Sequence, residues 1–137
     1  MNKLLLLLCL AVGLASQPAL ADQTFPNKRV RVIIPFPPGQ GSDILARAIG
    51  DKLAQKWGQP VVVENRAGAN GSIALQEVAR AEGDGYTLLV TSNSPVVINP
   101  NLYKHLPYDV GRDFQPVALL AGTDMLMVVN AQFPATT

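Results

Sequence analysis

RVRVIIPFPPGQGSD, Arg29 to Asp43, decides the fold. It opens in alternation, runs into continuous apolar residues, and then breaks into prolines and glycines before a Ser-Asp pair. Alternation closing in an apolar run is the pattern of a strand buried on both faces of a parallel sheet, here Arg29 to Phe36. Beyond the break, Ile44, Leu45, Ala48, Ile49 and Leu53 recur at helical spacing, opposite Arg47, Asp51, Lys52 and Gln55. Ser42 is the expected N-cap of that helix and Trp57-Gly58 its stop.

The pattern then repeats. Val61 to Val63 reads as a second short buried strand, Gly68 to Gly71 as a second glycine loop, and Ser72 as the cap of a helix presenting Ile73, Leu75, Val78 and Ala79 to the core. Gly83 to Gly85 makes a turn into a third strand, Tyr86 to Thr91, followed by the polar segment Ser92 to Pro95. A short helix over Val96 to Tyr103, interrupted at Asn99-Pro100, comes next, and Pro116 to Ala121 and Met125 to Asn130 are further strand candidates. Strands and helices alternating at this spacing predict an α/β fold: right-handed crossovers and a mainly parallel sheet flanked by helices.

The chain has 137 residues, with 11 Lys plus Arg against 10 Asp plus Glu, so no charge excess draws it to nucleic acid or an anionic membrane. Residues 1–21 differ from the rest: Lys3 near the start, an apolar run over Leu4 to Ala15, and Ala19-Leu20-Ala21 as a small-x-small cleavage pattern. This predicts a secretory signal peptide cleaved after Ala21, its apolar run being too short to span a bilayer. Cleavage removes Lys3 and the single cysteine, Cys9, leaving ten charges of each sign. Disulfides, thiolate catalysis and cysteine-ligated metals are thereby excluded from the mature chain.

In an open parallel sheet, ligands bind at the carboxyl ends of the strands. Both glycine loops and the Thr91-to-Ser94 segment belong to that edge. Each glycine loop delivers free backbone N–H groups at the start of a helix, where the dipole adds partial positive charge, an arrangement suited to a carboxylate or phosphate. Glycine and serine at such junctions are also ordinary turn chemistry, and one loop alone signifies little. Two in register beside a polar third make a binding edge an equal alternative. Asp43 is read as completing the cap, with orientation of a ligand group as the lesser alternative.

Other chemistries fit less well. Gly39-x-Gly41, with Glu64 ending the second strand, is an incomplete dinucleotide fingerprint, since Ile44 stands at the third glycine position. A nucleotide-dependent enzyme domain is therefore the rival reading. His105, the single histidine, is placed away from the loop edge and offers no base to a serine nucleophile. No metal-ligand cluster is visible. Trp57, Met125 and Met127 are read as packing residues.

FPNKRVRVIIPFPPGQGSDILAR, GQPVVVENRAGANGSIA, GDGYTLLVTSNSPVVINPNLY and LPYDVGRDFQPVALL together resemble the Bug (TctC-like) family of periplasmic substrate-binding receptors, associated with tripartite tricarboxylate transporters. The resemblance runs from Phe25 to Thr137. It implies a lobe of the type II periplasmic-binding-protein kind, belonging to a two-lobed receptor that closes on a small carboxylated solute. It implies no catalysis and no cofactor, a monomer, and the membrane permease subunits of the transporter as partners. The implied ligand-binding residues are Phe36, Pro38, Gly39, Gln40, Gly41, Ser42 and Asp43 from the first loop, Ala69, Asn70, Gly71 and Ser72 from the second, and Thr91 and Asn93 from the third. Gln40 departs from the family's usual PFPPGG. Family members run to roughly twice this length or more, as two lobes of ordinary domain size require. Residues 22–137 are accordingly expected to form a first lobe that ends near the inter-lobe crossover, with the second lobe outside this chain; a truncated fragment without function is the bland alternative.

Overall fold

The computed structural model describes residues 24–124 and 126–134. The predicted signal segment, residues 1–21, and Met125 lie outside the described residues.

Val30–Ile34 form strand β1, which Pro35 ends by having no N–H to give to the ladder. Helix α1 follows over Gly41–Trp57, β2 over Val61–Asn65, α2 over Ser72–Ala79 and β3 over Thr87–Leu89. The sheet order is β2-β1-β3 and both pairings are parallel, Val30 opposite Val61 and Arg31 opposite Thr87. The predicted α/β class is therefore observed, with the first strand at the centre.

β1 alternates between two helices. Val32 and Ile34 pack with Ala46 of α1, joined by Val61, Val63 and Leu88. Arg31, on the opposite face, reaches Glu77 of α2 at 2.8 Å. Ile33 and Ile34 are fully buried, each worth about 1.5–3 kcal/mol relative to exposure. The face of α1 turned to the sheet is Asp43, Ala46 and Gly50, not the predicted stripe: Ile44 is 62% exposed and Ala48 is exposed as well. Small residues decide this. A Cβ on Gly50 would sit 3.3 Å from Cγ1 of Val61, so only the glycine side of the helix can come this close to β2.

Gly58 closes α1 as predicted, at φ 64° with its N–H on the Ala54 carbonyl. The predicted serine caps are not observed. Gln40 and Gly71 occupy the cap positions, and neither Ser42 nor Ser72 precedes its helix. After β3 the chain makes a π-type turn over Ser94–Ile98 that runs directly into α3, Asn99–Leu102, so Asn99-Pro100 begins a helix instead of breaking one. A last short helix, α4, spans Val110–Asp113.

The two further strand candidates are not strands. Residues 116–121 and 126–130 carry no regular structure, and Val117, Leu119 and Leu126 stand exposed. Met127, read as a packing residue, is 92% exposed. β-rich sequence alone is insufficient: a strand needs a partner edge, and none of the described residues offers one to these segments. Trp57 is half-buried, edge-on to Phe25 at 6.1 Å between ring centroids.

Candidate functional site

With three parallel strands, the loops leaving β1, β2 and β3 share one edge of the sheet. They meet at Gly71. A Cβ there would lie 2.7 Å from Cγ of Pro95 and 3.1 Å from Cβ of Pro35, so one residue of the second loop is pressed between the first residue after β1 and the segment after β3. Pro35 and Pro95 are both fully buried. The convergence expected from topology is thus a physical contact.

The first loop is held from within. Asp43, 3% exposed, accepts from the N–H of Gly39 at 2.9 Å, from Arg47 Nε at 3.1 Å and from Asn65 Nδ2 at 3.0 Å. Asn65 Nδ2 also donates to the Phe36 carbonyl at 2.9 Å, and Arg47 Nη2 donates to Asn65 Oδ1 at 3.0 Å. The Arg47 hydrogen bond first, then those from Gly39 and Asn65, hold the Asp43 carboxyl far below its ordinary value of 3.8. Its charge is offset by Arg47, so it does not set a bare negative field against an anion at the start of α1. Gly39 bends the loop at φ 86°, while Gln40 has φ −76°, a backbone conformation open to any residue. The departure from PFPPGG therefore costs no backbone strain. Pro38, Gly39, Gln40 and Gly41 are exposed; Phe36 packs partly into the core and Ser42 is half-buried. As the first residues of α1, Gly41 and Ser42 present N–H groups without intrahelical acceptors.

The second loop is unusual in its backbone. Gly68, Ala69, Asn70 and Gly71 have φ of 133°, 47°, 49° and 87°, so two consecutive non-glycine residues occupy the left-handed region. The Gly71 N–H closes onto Gly68 O at 2.9 Å, and the chain enters α2 at Ser72. Asn70 is exposed, yet its Nδ2 donates to Oδ1 of Asn99 at 2.6 Å, and Asn99 Nδ2 donates back to the Asn70 carbonyl at 3.0 Å. Thr91, half-buried, and Asn93, exposed, supply the third segment.

The structure thus places all the predicted site residues on one edge, Asp43 and Gly71 facing inward and the others wholly or partly accessible. Sequence reasoning missed Arg47, Asn65 and Asn99, whose signal was only that polar residues stand in the core-side neighbourhood of each loop. His105 is corrected in position. Far from standing apart, it lines a cavity of about 380 Å³ beside the second loop, with Ala69, Ser72, Ile73, Tyr103 and Leu106 among its walls. Glu64, the acid of the dinucleotide reading, is engaged by Arg31 at 2.8 and 2.9 Å and by Arg66 at 2.6 Å. A carboxylate so paired is not free to receive ribose hydroxyls. Among the described residues, no cluster of three metal-ligating side chains occurs.

A parallel sheet covered by helices, with glycine-rich loops gathered at the carboxyl edge, defines one lobe of a periplasmic-binding-protein-like fold. Residues 45–137 match the model of the tripartite tricarboxylate transporter family receptor, TctC, and the chain belongs to that family. Protein BugT of Bordetella pertussis is 41% identical over 119 residues, covering 86% of this chain and 36% of that protein. The UPF0065 protein in the tcbD-tcbE intergenic region of Pseudomonas sp. (strain P51) is 40% identical over 124 residues, covering 90% and 37%. Among solved structures, MatC (Rpa3494) from Rhodopseudomonas palustris with bound malate superposes with a TM-score of 0.66 at 41% identity, over 70% of this chain and 33% of that one. Rpa4515 of R. palustris with adipate gives 0.65 at 36% identity, over 68% and 31%. The chain spans about a third of the length of the relatives it matches. The family is one of receptors, not enzymes. No helix among the described residues is long and apolar enough to cross a membrane.

Proposed function

We propose that residues 22–137 form the first lobe of an exported solute receptor that captures a small carboxylate or dicarboxylate in the periplasm and delivers it to the permease subunits of a tripartite tricarboxylate-type transporter. The observation that carries this reading is the contact of all three strand-to-helix loops at Gly71, with two helix N-termini beside it. Backbone amides at Gly41-Ser42 and in the second loop would grip the carboxylate, Gln40 and Asn93 would line its surroundings, and Asp43 would keep the first loop in shape. The bound malate and adipate in two relatives support the substrate class. A second lobe, contributed by the remaining length seen in those relatives, would close the shell, and residues 1–21 would direct export.

Titration calorimetry with malate, adipate, citrate and an uncharged diol tests the reading. Saturable heat with acids is expected, weak for a chain that spans about a third of its relatives' length, and none with the diol. Absence of heat and of any backbone amide shift with every acid, or a thermal stabilisation by NAD instead, overturns it.

A further inference from the structure

We propose that Asn99 is the positioning residue of the second glycine loop, holding Ala69 to Gly71 in the conformation that receives the carboxylate. This inference rests on the receptor reading above. Left-handed conformations at Ala69 and Asn70 are costly for residues with a Cβ, and such strain persists only where the surroundings over-determine it. Asn99 supplies that determination. It is fully buried, and both ends of its amide reach Asn70: Nδ2 donates to the Asn70 carbonyl at 3.0 Å, and Oδ1 accepts from Asn70 Nδ2 at 2.6 Å.

The clamp fixes the backbone and the side chain of Asn70 together, so rotation of the loop peptide breaks two hydrogen bonds at once. The anchor is itself anchored. Asn99 opens α3, receives the Tyr103 N–H at 2.9 Å, and lies 3.4 Å from the Tyr108 hydroxyl, which donates to the Pro95 carbonyl at 2.7 Å. Pro95 is the same residue that crowds Gly71. Asn99 therefore ties the second loop to the segment after β3, so that two parts of the edge keep a common geometry. A residue whose service was only to fill the core would have no need to direct both ends of its amide at an exposed loop.

Three measurements on Asn99→Ala, Asn70→Gly and the double variant decide the matter: amide hydrogen exchange at residues 69–71, malate and adipate affinity by calorimetry, and the melting temperature. Glycine at position 70 accepts positive φ without the side-chain bond, and the site is exposed, so that variant keeps its fold if Asn99→Ala does not. Each single variant should speed loop exchange and weaken acid binding by roughly three- to tenfold, the worth of about one hydrogen bond. The double variant should be no weaker than Asn99→Ala, because both remove one shared contact. A lower melting temperature with loop exchange and affinity unchanged overturns the proposal, as does simple additivity in the double variant; unchanged exchange and affinity in Asn70→Gly does so even if Asn99→Ala is unfolded. If the unsubstituted chain binds no acid, the receptor reading falls, and the exchange data alone decide whether Asn99 sets the loop.

Discussion

Asp43 occupies the position where a carboxylate and an anion-binding helix start would conflict, and its partners remove the conflict. Arg47 lies one turn on in the same helix, Asn65 ends the neighbouring strand, and the Gly39 amide is in the loop itself. Because the folded-state pKa is depressed, the stability this carboxylate contributes is present above its ordinary value of 3.8 and is lost as pH falls below it. Asp43→Asn should therefore lower the melting temperature at neutral pH and flatten the acid side of the stability profile below about pH 4. A melting temperature measured across pH checks both, and an unchanged acid limb would sink this account. Gly71 and Ala69 make a second pair. Gly71→Ala puts a methyl against two prolines at φ 87°, and should cost about 2–4 kcal/mol in urea unfolding. Ala69→Gly, at φ 47°, should cost nothing measurable or stabilise by up to about 1 kcal/mol, since glycine relieves the left-handed strain. Of this, only the capping role of Asp43 was legible beforehand. A serine before an apolar run looks like a cap whether or not its hydroxyl is used, and here an aspartate three residues into the helix reaches back to the loop amide in its place.

Among the elements, the three strands that pair into the sheet were read more faithfully than the helix faces. Val30 to Ile34 are β-branched, apolar and cut off by a proline, and those properties act locally. The orientation of α1 depends on what it approaches: counting apolar residues favoured Ile44 and Ala48, whereas fit against β2 favoured Ala46 and Gly50. Gly50→Leu should therefore push α1 off the sheet and cost about 1–3 kcal/mol despite leucine's better helix propensity, while Ala48→Leu on the exposed side should be near neutral. Denaturant midpoints for the two variants separate these outcomes; equal midpoints would mean that the close approach at Gly50 is not what orients the helix. The second loop was legible as glycine-rich but not as strained, because nothing in the letters Ala69-Asn70 announces positive φ. That conformation is imposed by Asn99, distant in sequence and buried.

For the whole molecule, α/β class and the shared loop edge could be read from the order of elements, since crossover handedness leaves few arrangements open. The stretch beyond α4 could not. Its apolar residues resemble strand cores, yet Val117, Leu119, Leu126 and Val128 are each 85% exposed or more, far beyond what scattered surface residues of a soluble domain present together. The expected outcome is self-association that rises with concentration. Leu119→Lys with Leu126→Lys should suppress it in light scattering without moving the melting temperature, because neither side chain contributes to the core. Scattering unchanged by the pair would show that these residues are not the adhesive surface.

The central place of β1 also bears on how the chain comes off the ribosome. The first strand among the described residues is the one that both others must find, and neither of its edges can be satisfied by a hairpin, since both partners are parallel. Until Leu89 has been synthesised, Val30 to Ile34 remain an apolar ribbon with an unpaired edge, the form of chain that holdase chaperones recognise. Parallel pairing offers that ribbon no hairpin to hide in, so it stays open until the helical crossover after it is complete.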